Sequence, residues 1–183
     1  MTQRIQFDEP DRTDCGTRAR LAVSVGIFVA TYVALYFGYL QIPDDFLDDR
    51  VYYLGITAPC VALIHLIAPG DAVRAVGAHI VGGVNSLGIV RGCDGVAVLL
   101  LLVAAIVAMR SPWRQLIRGI LGAMTFVYAI NQARILTLYF VIERHPQWFT
   151  PLHAYVFPTL FVLLAAAFFS FWTASTYEPA RAR

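Results

Sequence analysis

The stretch "GCDGVAVLLLLVAAIVAMRSP", residues 92–112, sets an uninterrupted apolar run, Val96–Met109, between a Gly-Cys-Asp-Gly turn and Pro112. A helix over that run is about 21 Å long at about 1.5 Å per residue. The hydrocarbon core of a bilayer is about 30 Å thick. To cross it, the run must recruit residues at both ends, and Pro112 limits the far one. The stretch therefore predicts a short span over about residues 95–110 that begins close to Gly92 or Cys93, with the thiol at a helix N-terminus.

That a bilayer is the right solvent follows from composition. Of the 183 residues 58% are hydrophobic and only 14% charged, and mean hydropathy is +0.64. This balance excludes an ordinary soluble domain and predicts an all-α integral membrane protein. The net charge of +2 discriminates little, and all fourteen basic residues are Arg. The three cysteines, Cys15, Cys60 and Cys93, are too scattered for a disulfide framework or a CxxC metal knuckle, although a Cys60–Cys93 pair stays open.

Three further runs are long enough to span, at about 21–40, 115–142 and 152–174. The first is preceded by a polar, Arg-containing tail over 1–20 and lacks a small-residue cleavage site, so it reads as an uncleaved anchor. The run at 51–69 is broken by Pro59 and carries His65, and reads as re-entrant or interfacial, or as a span. Residues 72–91, with four glycines, His79 and Asn85, read as a hairpin turning at Gly82–Gly83. The expected fold is thus a bundle of four to six transmembrane helices forming one domain over 21–175, with a short tail at 176–183.

Arginine distribution orients the bundle. With four spans, Arg4, Arg12, Arg18, Arg20, Arg110, Arg114, Arg118, Arg181 and Arg183 face the cytoplasm, and Arg50, Arg74, Arg91 and Arg144 lie outside. A fifth span would level the split to seven against six. Even-numbered models put both termini in the cytoplasm and Cys93 on the outer face.

Three residues of different spans then fall near that face. A thiol at a helix N-terminus meets the positive end of the macrodipole, which favours the thiolate; Gly92 and Gly95 would let a substrate approach the backbone around Cys93. Arg134, in "AINQARILTLYF", lies about 12 Å below the helix exit, and Asn131 shares its helix face. A guanidinium there costs about 2.5–3.5 kcal/mol on insertion scales and should face protein or a wet cavity. His153, in "PQWFTPLHAYVF", suits proton transfer near neutrality, with His145 a nearby competitor. The plainer alternatives are a buried cysteine beside a cap made by Asp94, and an Arg134 that snorkels or pairs with Asp94. Trp113, Trp148, Trp172 and the tyrosines fit interfacial belts.

"RGCDG", "NQARI" and "LHAYVF", in this order on consecutive spans, resemble the exosortase/archaeosortase family, over about residues 71–175 and most closely from Arg91 to Phe157. The Gly-Cys-Asp-Gly form is similar to that of the short exosortases of the H type. The chain departs from longer members in its length, in Asp94 where Ser is commoner, and in lacking a glycine after the histidine. The resemblance implies a bacterial inner-membrane cysteine transpeptidase or protease with its site facing the periplasm. It would cleave C-terminal sorting signals of the PEP-CTERM kind, each a short motif, a transmembrane helix and a basic tail, without a metal or other cofactor. Carried over by residue, Cys93 is the nucleophile, Arg134 stabilises thiolate and oxyanion, His153 is the acid/base and Asn131 supports. Partners would be membrane-anchored substrate proteins and the bilayer, not nucleic acid.

Two other classes compete. A non-catalytic subunit or scaffold of an envelope polysaccharide or secretion system would treat the same residues as a polar packing cluster. A metal or haem site would use Cys93, His153 and Asp94, yet no span carries an HxxxH or HExxH pair.

Overall fold

The computed structural model describes residues 12–83 and 85–181; for residues 12–16, 49 and 177–181 it describes the backbone alone. It is 78% helical. Helix α1 runs Arg12–Leu40, so it starts inside the stretch expected as a tail, and the rest of that tail, 1–11, lies outside the described residues. After Pro43 comes α2, continuous over Asp44–Ile67. Asp44 and Asp45 occupy its first turn, where carboxylates complement the helix dipole.

Pro59 does not break α2 as a Pro in a helix interior ordinarily would. Residues Leu47–Thr57 wind as a wide π-helix, in which Ala58 N–H reaches back to Tyr53 O. Pro59 then sits in the first turn of the regular segment Ala58–Ile67. The carbonyls left short of donors are met from another helix: Gln132 Nε2 donates to Gly55 O at 3.2 Å and to Ile56 O at 3.4 Å.

The region expected as one hairpin is a three-stranded antiparallel sheet, one strand more than expected, in an otherwise helical chain. Strands β1 (Arg74–Val76), β2 (His79–Val81) and β3 (Ser86–Gly88) lie in sequence order. The expected turn at Gly82–Gly83 is present, closed by Gly82 N–H on Asn85 O at 2.9 Å. A second turn lies at Gly77, whose φ of +54° suits glycine. The sheet lies along α2: Thr57 Oγ1 donates to Gly77 O at 2.8 Å, and His65 Nε2 meets Val73 O at 3.0 Å.

Helix α3 (Val96–Ala108) is the short apolar helix. It begins three residues after Cys93, later than the apolar run suggested, because Gly92 and Gly95 at φ +85° and +78° keep the preceding residues in a turn. Helix α4 runs Trp113–Arg144 from an N-cap at Pro112. Helix α5 begins at Pro146. It opens with a 3-10 turn and a π turn at Leu152–Val156, then runs regularly over Phe157–Arg181.

Two cores result. Tyr39, Tyr52, Cys60, Ile64, Ile80, Leu87, Ile89, Leu138 and Tyr139 join α1, α2, the sheet and the end of α4. Leu102, Ile106, Ala123, Val127, Phe161, Ala165 and Trp172 join α3, α4 and α5. Trp172 is therefore buried rather than in an interfacial belt; it packs against Gly119, where an added Cβ would come within 2.8 Å of the indole. Trp113, at the start of α4, and Trp148, in the opening turn of α5, are exposed.

Among the described residues four helices are long and apolar enough to cross a membrane: Thr17–Leu40, Asp44–Ile67, Trp113–Arg144 and Pro146–Thr176. Large apolar side chains such as Leu21, Phe37, Leu163 and Phe171 point outward, as lipid contact requires and water would penalise. This set differs from the expected four: α2 qualifies, and α3 is too short to qualify alone.

Candidate active site

The turn between β3 and α3 is held at three points. Arg91 donates through Nε to Asp44 Oδ1 and through Nη1 to Tyr39 O, both at 2.8 Å, and through Nη2 to Ile42 O. It also lies over the Tyr39 ring at 5.1 Å. Asp94, 6% exposed, accepts Tyr39 OH and Tyr52 OH on Oδ2 and Val96 N–H on Oδ1 at 3.1 Å. Asn131 Nδ2 donates to Asp94 O at 3.1 Å. The glycines serve this geometry: both adopt positive φ, and a Cβ on Gly95 would meet Asn131 at 3.3 Å.

Cys93 is thereby aimed away from the tyrosines and toward α4 and α5. Its Sγ lies 3.5 Å from His153 Nε2, within reach for a sulfur–nitrogen hydrogen bond. The imidazole is set by aromatic packing, with Phe149 stacked on it at 5.3 Å and an interplanar angle of 8°. His153 Nδ1 has no hydrogen-bond partner among the described residues.

Arg134, 7% exposed, reaches the same place from α4. Nη1 makes one long hydrogen bond to Cys93 O at 3.5 Å, the guanidinium lies 5.9 Å from the Phe161 ring, and Nε is buried without a partner. Such a cation, short of acceptors, is costly unless an oxygen ligand completes it. Cys93, Arg134 and His153 line one cleft of about 140 Å³, walled by Leu87, Gly88, Ile89, Val90, Ile135, Leu138 and Phe149.

The three residues picked from separate spans are thus brought together. Asp94 faces the other way, and its carboxylate is engaged by Tyr39, Tyr52 and Val96 rather than by Arg134. Asn131 supports the turn instead of sharing the ligands of Arg134. His145 is exposed at the end of α4, His65 is spent on Val73 O, and His79 packs beside Gly88. Cys60 and Cys93 are both free. Among the described residues no three His, Cys, Asp or Glu side chains converge as a metal ligand set.

Sequence reasoning missed Tyr39 and Tyr52, which it read only as belt aromatics, and Arg91, Gln132 and Phe149. Gln132 carried a signal, since a Pro within a span leaves carbonyls that need a donor. The tyrosines carried none, for their partner is distant in sequence. Compared with known proteins, the chain matches no family model, no curated protein and no solved structure.

Proposed function

We propose that this chain is a membrane-embedded cysteine peptidase or transpeptidase, with Cys93 as nucleophile. The observation that carries the reading is the 3.5 Å approach of Cys93 Sγ to His153 Nε2 beside a buried, under-coordinated Arg134. Nucleophile, base and cation from three elements in one cleft are the parts acyl transfer needs.

The Cys93 thiol proton passes to His153 Nε2, and the thiolate adds to a peptide carbonyl. The carbonyl π electrons move to oxygen, giving an oxyanion that Arg134 Nε–H and Nη–H can receive. A donor so placed contributes about 3 kcal/mol to the transition state. Collapse breaks the C–N bond, the His153 proton goes to the leaving amine, and a thioester remains on Cys93. Water or an acceptor amine then attacks the thioester, giving its proton to His153 and releasing the thiolate.

The resemblance to the exosortases supports a substrate class of exported proteins ending in a short motif, an apolar helix and a basic tail. It also supports a bacterial inner membrane with both termini cytoplasmic and the cleft periplasmic. In that arrangement α2 lies at the outer interface with the sheet packed against one side of it, which keeps an even number of crossings.

The test is replacement in the native cell of Cys93 by Ala or Ser, Arg134 by Ala or His153 by Ala. Each is expected to leave such precursors full-length, and a substrate adduct is expected on wild-type Cys93 by mass spectrometry. Normal processing in the Cys93→Ala strain would end the proposal and favour a non-catalytic membrane subunit.

A further inference from the structure

We infer that β3 and the residues after it, 86–90, form the substrate-docking edge of the cleft, and that the ligand is a peptide bound in extended form as an added strand. The inference rests on the peptidase reading above and specifies how substrate is held.

Strand β3 ends the order β1-β2-β3, so it pairs on one side only among the described residues. Its register fixes which backbone groups are spent. Ile89 N–H donates to Ala78 O, Gly82 N–H donates to Asn85 O, and Leu87 stands opposite Ile80 between them. Residues 85, 87 and 89 therefore turn their backbone groups inward to β2. The alternation of an antiparallel pair then turns those of Ser86, Gly88 and Val90 to the open edge.

That open edge is continuous with the chemistry. Leu87, Gly88, Ile89 and Val90 form one wall of the cleft that holds Cys93, Arg134 and His153. The Val90 carbonyl is taken by Cys93 N–H at 2.9 Å, so the edge runs straight into the turn bearing the thiol. An edge with free N–H and C=O groups is a template for another chain. One laid beside 86–90 would carry its next carbonyl toward Sγ. The small cleft between Ile89, Ile135, Leu138 and Phe149 suits one aliphatic side chain of that strand. Main-chain pairing makes recognition tolerant of sequence elsewhere.

The probe is an N-acetyl tetrapeptide of alanine and valine ending in a vinyl sulfone, given to the full chain in detergent micelles. Its adduct on Cys93 is followed by mass spectrometry, with iodoacetamide as the small reference electrophile. Single N-methylation of each amide in turn should slow labelling in alternation, by about ten-fold where the amide faces β3 and little where it faces away. Val90→Pro, which removes one outward N–H and leaves the β2 ladder intact, should flatten part of that alternation, each peptide rate being read as a ratio to the iodoacetamide rate of the same variant. Equal rates across the methylated series, with every peptide still faster than iodoacetamide, would overturn strand addition and leave the Cys93 nucleophile standing. No peptide faster than iodoacetamide would overturn both.

Discussion

The Tyr39 hydroxyl donates to the Asp94 carboxylate, fastening the last turn of α1 to the turn that carries Cys93. Tyr52 of α2 donates to the same oxygen at 2.9 Å. Helix α1 is in this way part of the site's framework: a buried carboxylate ties α1 and α2 to the turn from which Cys93 meets His153.

Asp94→Ala is expected to destabilise the protein by about 1–3 kcal/mol, since it removes the shared acceptor of Tyr39, Tyr52 and Val96 N–H and leaves the two hydroxyls, 3.2 Å apart, only each other. Asp94→Asn keeps one oxygen to accept Val96 N–H and puts an N–H donor where the tyrosines now donate, so a tyrosine hydroxyl can turn to accept from it, and it should lose less. Thermal unfolding in detergent, read by intrinsic fluorescence, orders the two; equal melting temperatures for wild type and Asp94→Ala would show the cluster to be dispensable.

The two glycines of "GCDG" should respond unequally. Gly92→Ala meets only the left-handed backbone, about 1–2 kcal/mol, because nothing lies within 4 Å of the added Cβ. Gly95→Ala meets the same backbone term and pushes on Asn131 at 3.3 Å, so it should cost more and also slow alkylation of Cys93. Finding Gly92→Ala the worse of the pair would contradict this geometry.

Gln132→Leu should destabilise by about 1–3 kcal/mol by leaving the carbonyls of Gly55 and Ile56 without a donor. Pro59→Ala restores a backbone N–H at that junction, so in the double variant part of the loss should return. Strict additivity in the double-mutant cycle would show that Gln132 and Pro59 are unrelated.

Gly119→Ala drives a methyl into Trp172, whose ring atoms lie 2.8–2.9 Å from the new Cβ, and overpacking of this kind costs about 1–3 kcal/mol. Gly119→Ala with Trp172→Leu should recover stability relative to Trp172→Leu alone. Absence of any recovery would mean that α4 and α5 part without strain.

Phe149→Leu keeps apolar bulk and removes the ring stacked on His153. Iodoacetamide labelling of Cys93 should slow several-fold, with melting changed little, because Phe149 is only half-buried and acts by orienting the imidazole. An unchanged rate would show that His153 is held by other contacts.

The apolar runs, the thiol near the mouth of a short helix, and the order of Cys93, Arg134 and His153 were legible because each is local: hydropathy, a Gly-Cys-Asp-Gly turn, one charge in an apolar span. Depth along a helix is also local arithmetic, which is why residues from three elements could be placed at one level before any contact was known. The role of Asp94 was not legible, since its partners Tyr39 and Tyr52 sit 55 and 42 residues away. Nor was the passage of α2 through Pro59, where a π-wound segment and a glutamine on another helix overrode the usual effect of proline. The third strand escaped because β1 to β3 are each only three residues long, too short for alternation to register.

Helix α3 has 13 residues, about 20 Å of rise, while its neighbours α1, α4 and α5 are each long enough for a full bilayer. Arg134 lies ten residues before the end of α4, about 15 Å down its axis. The floor of the cleft is therefore a local thin spot. Lipid beside α3 must dimple by several ångströms or leave polar backbone facing acyl chains, at fractions of a kcal/mol per ångström of mismatch. Acyl-chain length is therefore expected to act on the Cys93 turn, and alkylation rates of Cys93 in short-chain against long-chain bilayers measure it.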